Sequence, residues 1–154
     1  MGDRADFAAL LAFAASTADV CRSLGPEPLV YGSLAYVAHT GDRSLGLNDV
    51  DFLAPEILFA DLAAYCLSRT VLSHELTTYH SLKVLKGNLK VSFDSIEHYL
   101  AGISARRVRC LVDDFSFQAI DRHALAEVYA RGAEAISEKR AAYLLKRDRL
   151  LSAR

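Results

Sequence analysis

The sequence predicts an α+β (α/β) chain, and three features of its pattern say so. Apolar residues recur every three or four positions from Asp6 to Leu24, and the stretch from Arg122 onward is also helix-like. Short apolar runs with period-two alternation lie between these helices, and Gly, Pro, Asn and Asp punctuate the junctions. A chain of 154 residues with 52% apolar content suits a single domain, 1–154. Its core is expected at about 26–121 and a C-terminal helical segment at about 122–154.

Taken in order, Phe7, Leu10, Leu11, Ala14, Ala18 and Cys21 make one face of a first helix, which Gly25-Pro26 stops. Pro28 to Tyr31 is a short strand, Gly32-Ser33 a tight turn, and Leu34 to His39 a short helix. A polar loop, Thr40 to Leu47, leads to a strand at Asn48 to Ala54, and Pro55 opens a helix reaching about Leu67. Thr70 to Ser73 extends. Leu76 to Lys86 and Leu89 to Ile96 read as two strands around the hairpin pair Gly87-Asn88. Glu97 to Ile103 is a short helix, Val108 to Val112 and Phe115 to Ile120 a second hairpin around Asp113-Asp114, and Arg122 to the end is helical.

Composition excludes several function classes. Eighteen basic and nineteen acidic residues give a net charge of −1, so no global field draws the protein to nucleic acid or an anionic membrane. The three cysteines, Cys21, Cys66 and Cys110, are far apart and lack zinc or redox spacing. The N-terminus lacks the basic region of a signal peptide, and no apolar run approaches the roughly 20 residues that span a bilayer, so a cytoplasmic protein without membrane contact is expected. The five histidines show no zinc-binding spacing. Leu47-Asn48 stand where a Walker A loop needs Lys-Ser/Thr, and Gly32-Ser33-Leu34 is no nucleophile elbow.

Chemistry concentrates in two strands and one turn. Alternation in Asp49-Val50-Asp51-Phe52 sends both aspartates to one face. In Leu89 to Asp94, it puts Lys90, Ser92 and Asp94 opposite Leu89, Val91 and Phe93. If the strands are neighbours, three carboxylates meet, and such a cluster persists when a divalent cation neutralises it. Hard oxygen donors suit Mg²⁺ or Mn²⁺. Gly32 permits close backbone approach, while Ser33 at a helix start offers a hydroxyl and free N–H groups to phosphate. Lys90 and Ser92 share the face of Asp94 and are further phosphate contacts; so is Arg43, in the polar loop. Metal beside a phosphate-binding turn equips a protein for nucleotidyl transfer.

Gly32-Ser33, Asp49-x-Asp51 and Asp94 together resemble the nucleotidyltransferase superfamily related to DNA polymerase beta. Its minimal signature is a Gly-Ser or Gly-Gly after a strand, then a helix, an acidic pair on the next strand and a third carboxylate on a later one. The resemblance covers roughly Leu29 to Ile96 and implies the nucleotidyltransferase fold, a small mixed β-sheet flanked by helices. The fifteen residues between Ser33 and Asp49 exceed the family's usual gap. The resemblance implies that Asp49 and Asp51 bind two metals, that Asp94 binds the catalytic one and helps activate the acceptor hydroxyl, and that Gly32 and Ser33 hold the triphosphate. The expected activity is metal-dependent transfer of NMP from an NTP such as ATP to a hydroxyl of an unidentified acceptor: a small molecule, protein or RNA. The alternatives are a toxin–antitoxin component binding a partner protein of a two-component pair, and a catalytically silent nucleotide-binding module. The C-terminal basic residues Lys139, Arg140, Lys146, Arg147, Arg149 and Arg154 read as the solvated face of a helix whose Ile136, Tyr143, Leu144 and Leu151 pack inward; the family implies instead an RNA contact or a wall of the nucleotide groove.

Overall fold

The computed structural model describes residues 4–152. Helix α1 (Arg4–Leu24) forms on the expected spacing and buries Leu10, Phe13, Ala14, Ala18 and Cys21; it ends where the Gly25 amide donates to Cys21 O at 3.0 Å. By length and composition its Asp6–Leu24 stretch is apolar enough to cross a membrane, which corrects the count of apolar runs made from the sequence. Here its apolar face packs against strands instead.

The chain continues through β1 (Leu29–Tyr31), α2 (Gly32–Thr40) and β2 (Val50–Ala54). A 3₁₀ turn, Glu56–Leu58, leads into α3 (Phe59–Leu67). Next come β3 (Ser73–Thr77), β4 (Ser81–Lys86), β5 (Leu89–Ser95), α4 (Ile96–Tyr99), β6 (Arg107–Val112), β7 (Phe115–Ile120), α5 (Arg122–Ala135) and α6 (Arg140–Ser152). Two runs expected to be continuous are broken. The strand expected at Leu76 to Lys86 splits into β3 and β4, because Thr77 Oγ1 accepts from the Tyr79 amide at 3.2 Å and His80 turns the chain with φ 61°. The C-terminal helix breaks at Ile136, which is extended with φ −125° and ψ 97°, and Arg140 Nε donates to Ala133 O at 3.0 Å beside the break.

The seven strands form one mixed sheet in the order β3-β4-β5-β2-β1-β7-β6, with β2 parallel to β5, β1 parallel to β7 and β1 antiparallel to β2. Alternation gives the sheet two unlike faces. Val30, Val50, Phe52, Val84, Val91 and Phe93 lie on one of them, all at most 2% exposed, and α1 and α3 cover it. Phe52 and Phe93 stack there at 5.3 Å between centroids. Tyr31, Asp51, Ser92, Asp94, Ser81 and Lys83 lie on the other. Near it α5 and α6 pack on each other and on α2.

Candidate active site

The site is built on the β1–α2 turn and the parallel pair β2–β5. In the register, Tyr31 stands opposite Asp51, Asp51 opposite Ser92, and Leu53 opposite Asp94. Asp51 and Asp94 are therefore diagonal neighbours on one face, and Asp49 precedes Asp51 by one pleat. The two strands are neighbours, as the carboxylate argument required. Gly32 has φ 70°, and a Cβ added to it would lie 2.6 Å from Asp51 Oδ2. Among the described residues no side chain caps the N-terminus of α2, which begins beside Asp51.

The electrostatics follow from that crowding. Burial, then the charges of Asp49 and Asp94, hold the Asp51 carboxyl well above the usual carboxylate range, while Lys90 and Lys146 pull against them. Burial also raises Asp94, against hydrogen bonds that favour its ionised form: Ser81 Oγ donates to Oδ1 and Tyr31 Oη to Oδ2. Each oxygen keeps a second lone pair for another partner. Tyr31 is itself held protonated, its phenol pushed up by burial and then by Asp94 and Asp51.

These donors fit a hard divalent cation. They are all carboxylate oxygens, and the mutual repulsion that raises Asp51 is what a cation relieves. Among the described residues no three His, Cys, Asp or Glu side chains close into a metal cage. An open arrangement suits Mg²⁺, which takes one or two carboxylates and leaves its other positions to water and phosphate.

The structure brings together Gly32, Ser33, Asp49, Asp51, Lys90, Ser92 and Asp94. Lys90 Nζ stands 3.3 Å from Asp49 Oδ2, so its charge is directed at that carboxylate. Ser92 is buried in the ladder between Asp51 and Lys83. Arg43 is placed elsewhere. Its guanidinium donates to Asp113 on the β6–β7 turn at 2.8 Å and lies 4.9 Å over the Phe7 ring. Arg154 lies outside the described residues.

Four contributors escape the sequence reading. Lys146, counted there as part of a solvated stripe, reaches inward from α6: Nζ donates to Ser33 Oγ at 3.1 Å and sits 5.3 Å over the Tyr129 ring. Burial lowers its pKa, against the attraction of Asp51 and Asp49. The signal was present in the spacing. Lys146 lies on the stripe of Tyr143 and Leu150, and Leu150 rather than Leu151 is the leucine that α6 buries. Tyr129 is 5% exposed, and among the described residues its hydroxyl meets no hydrogen-bond partner at good geometry, with Ser33 its nearby hydroxyl. Ser81 and Tyr31 grip Asp94, a role that only the strand pairing reveals.

The fold is similar to several solved structures. An antigenic nucleotidyltransferase-like protein from Paracoccidioides brasiliensis superposes with a TM-score of 0.62 at 13% identity, over 92% of this chain and 74% of that one. The antibiotic-resistance factor ANT(2'')-Ia gives 0.70 at 14% identity, over 96% and 89%. The Megavirus polyadenylate synthase gives 0.55 at 12% identity, over 90% of this chain and 30% of that protein. No protein-family model matches the sequence, and no curated protein sequence does. Likeness at such low identity is likeness of architecture, and by that measure this chain has the nucleotidyltransferase fold.

Proposed function

We propose that this protein is a metal-dependent nucleotidyltransferase that moves NMP from an NTP to an acceptor hydroxyl and releases pyrophosphate. The observation that carries this reading is Asp51, buried within reach of the charges of Asp49 and Asp94 at the start of α2, where Gly32 admits backbone contact and Lys146 joins Ser33. Carboxylates alone repel a triphosphate; carboxylates beside a phosphate cradle need a cation between them.

Asp49, Asp51 and Asp94 would hold that cation. When bound, Mg²⁺ or Mn²⁺ supplies charge to the phosphates and acidifies the attacking hydroxyl. The chain's own residues do the rest. The free N–H groups of α2, Ser33 and Lys146 bind the triphosphate, and the phenol of Tyr129 supplies a buried donor beside them. Asp94, held in one orientation by Tyr31 and Ser81, takes the acceptor's hydroxyl proton. The freed oxygen bonds to the α-phosphorus as the bond from that phosphorus to the bridging oxygen breaks, and pyrophosphate leaves with the electron pair.

Calorimetric titration with each of the four NTPs, with and without Mg²⁺, tests the reading. Binding should require the metal and vanish in Asp49→Ala, while circular dichroism shows the fold retained. Absence of binding by every NTP in the presence of metal would overturn it.

A further inference from the structure

The apolar side of the sheet has a gap. Where α1 and α3 come together over β4 and β5, they leave a cleft of about 300 Å³, with Phe13, Val20, Tyr65 and Leu72 among its walls and Arg69 and Lys86 at its edge. That volume lies at the lower end of small-molecule sites. A narrow extension continues inward over Leu62, Cys66 and Phe93. The gap is thus concave, lined by polar and apolar side chains in nearly equal measure, and remote from the carboxylates, which occupy the opposite face.

Two cations line it, and among the described residues neither Arg69 nor Lys86 pairs with a carboxylate, which is also true of other basic side chains such as Lys83 and Lys139. The Arg69 guanidinium is held 5.2 Å over the Tyr65 ring, where it faces an apolar wall rather than a counter-charge. The cleft has a second polar element at its α1 side. Ser16 and Thr17 line it, but their hydroxyl protons are used on Phe13 O at 2.8 Å and Ala14 O at 2.9 Å, so they present lone pairs. An anion in the cleft is attracted by Arg69 and Lys86.

We propose that this cleft binds a small amphipathic carboxylic acid. The carboxylate lies between Arg69 and Lys86, and the aliphatic or aryl body lies along Phe13, Val20, Tyr65 and Leu72. The interaction combines burial of apolar surface with a charge-assisted hydrogen bond from a guanidinium, neither of which the cleft satisfies by itself. It does not depend on what the opposite face does.

Calorimetry with octanoate, octan-1-ol and octylamine on the full-length protein tests it. Octanoate should saturate at one molecule per chain and outbind both the alcohol and the amine. The double variant R69E/K86E should weaken octanoate about tenfold or more. Both residues are exposed, so its unfolding temperature should stay near that of the parent. V20W, which fills the cleft, should abolish binding, and Lys146→Ala should leave it unchanged. Failure to saturate, equal binding of octan-1-ol, indifference to R69E/K86E, or displacement of octanoate by Mg²⁺ and ATP would each overturn the proposal.

Discussion

Strands β2 and β5 carry two kinds of physics on their two faces. On one, Val50, Phe52, Val91 and Phe93 are at most 1% exposed, stacked and covered by helices. On the other, Asp51 and Asp94 are held where burial penalises their charge and their neighbours repel it. The same ladder of hydrogen bonds supports both, so the difference is in the side chains alone. The apolar face supplies the free energy that lets the polar face be unfavourable, and a site with stored repulsion is ready to take up a cation. If that division is real, substitutions on the two faces should separate stability from activity.

The sharpest separation is expected from Asp51→Asn. Transition-state charge stabilisation by a bound metal is worth several kcal/mol, so turnover should fall by about 10³-fold or more. Pyrophosphate release measures it. The metal-free protein should nonetheless gain stability at neutral pH, because the amide carries no charge to bury or repel. The gain has a defined pH dependence. Asp51's pKa in the folded protein is raised, so its ionisation destabilises the fold above that pKa, and the penalty disappears as pH falls toward the ordinary carboxylate value. The stability advantage of the variant over the parent should therefore shrink on acidification, which urea unfolding at several pH values would show. A constant advantage, or a loss, would break the comparison.

Phe93→Ala should do the opposite. Losing a fully buried ring that stacks on Phe52 is expected to cost about 3–5 kcal/mol. Metal-dependent NTP affinity of the fraction that remains folded should hold near the parent value, because Phe93 points away from the carboxylates. Denaturant unfolding and calorimetry on the same sample measure the two quantities. Loss of affinity well beyond the unfolded fraction would mean that the faces are coupled.

Gly32→Ala comes next, since it acts where the faces meet at the end of β1. A Cβ there is disfavoured by φ 70°, at about 1–2 kcal/mol, and collides with the Asp51 carboxylate. Stability should fall by roughly that amount, and NTP affinity should fall further than in Ser33→Ala, which leaves the backbone unchanged. Equal affinity losses in the two variants would show that the side chain of Ser33, rather than close backbone approach, carries the phosphate contact.

How much of this was legible in the sequence depended on whether a feature is local. The period-two alternation of Asp49 to Phe52 and Leu89 to Asp94 fixes which side chains share a face, and that was enough to group the three carboxylates. Gly32-Ser33 was legible because a glycine at positive φ before a helix is a local requirement. The clamp on Asp94 was not. Tyr31 and Ser81 are 63 and 13 residues away from it in sequence, and only the pairing of β1, β2, β5 and β4 brings their hydroxyls there. The split at Thr78 to His80 was missed because His80, not a glycine or asparagine, takes the left-handed conformation. Lys146 was misread as solvated because helical periodicity separates apolar from polar residues and cannot say which lysine on an inward stripe meets a buried anion.

Arg43 gives the smallest expected effect and the cleanest limit on the site. The polar loop that carries it follows α2, so sequence proximity suggested phosphate. Yet Asp42, one residue earlier, accepts from Tyr36 Oη and from Arg149 at 2.6 Å, while Arg43 turns to Asp113 and Phe7. The loop is therefore anchored on both α6 and the β6–β7 turn, and Arg43 is a tether between exposed partners. Arg43→Ala should change stability by no more than about 0.5 kcal/mol and leave NTP affinity unaltered. Lys146→Met, by contrast, should weaken NTP binding about tenfold with little change in unfolding temperature, because the thioether fills the space beside Tyr129 but cannot meet a phosphate. A reversal of the two affinities would move the triphosphate from the start of α2 to the loop, and the polar face of the sheet would then lose its claim to be the site.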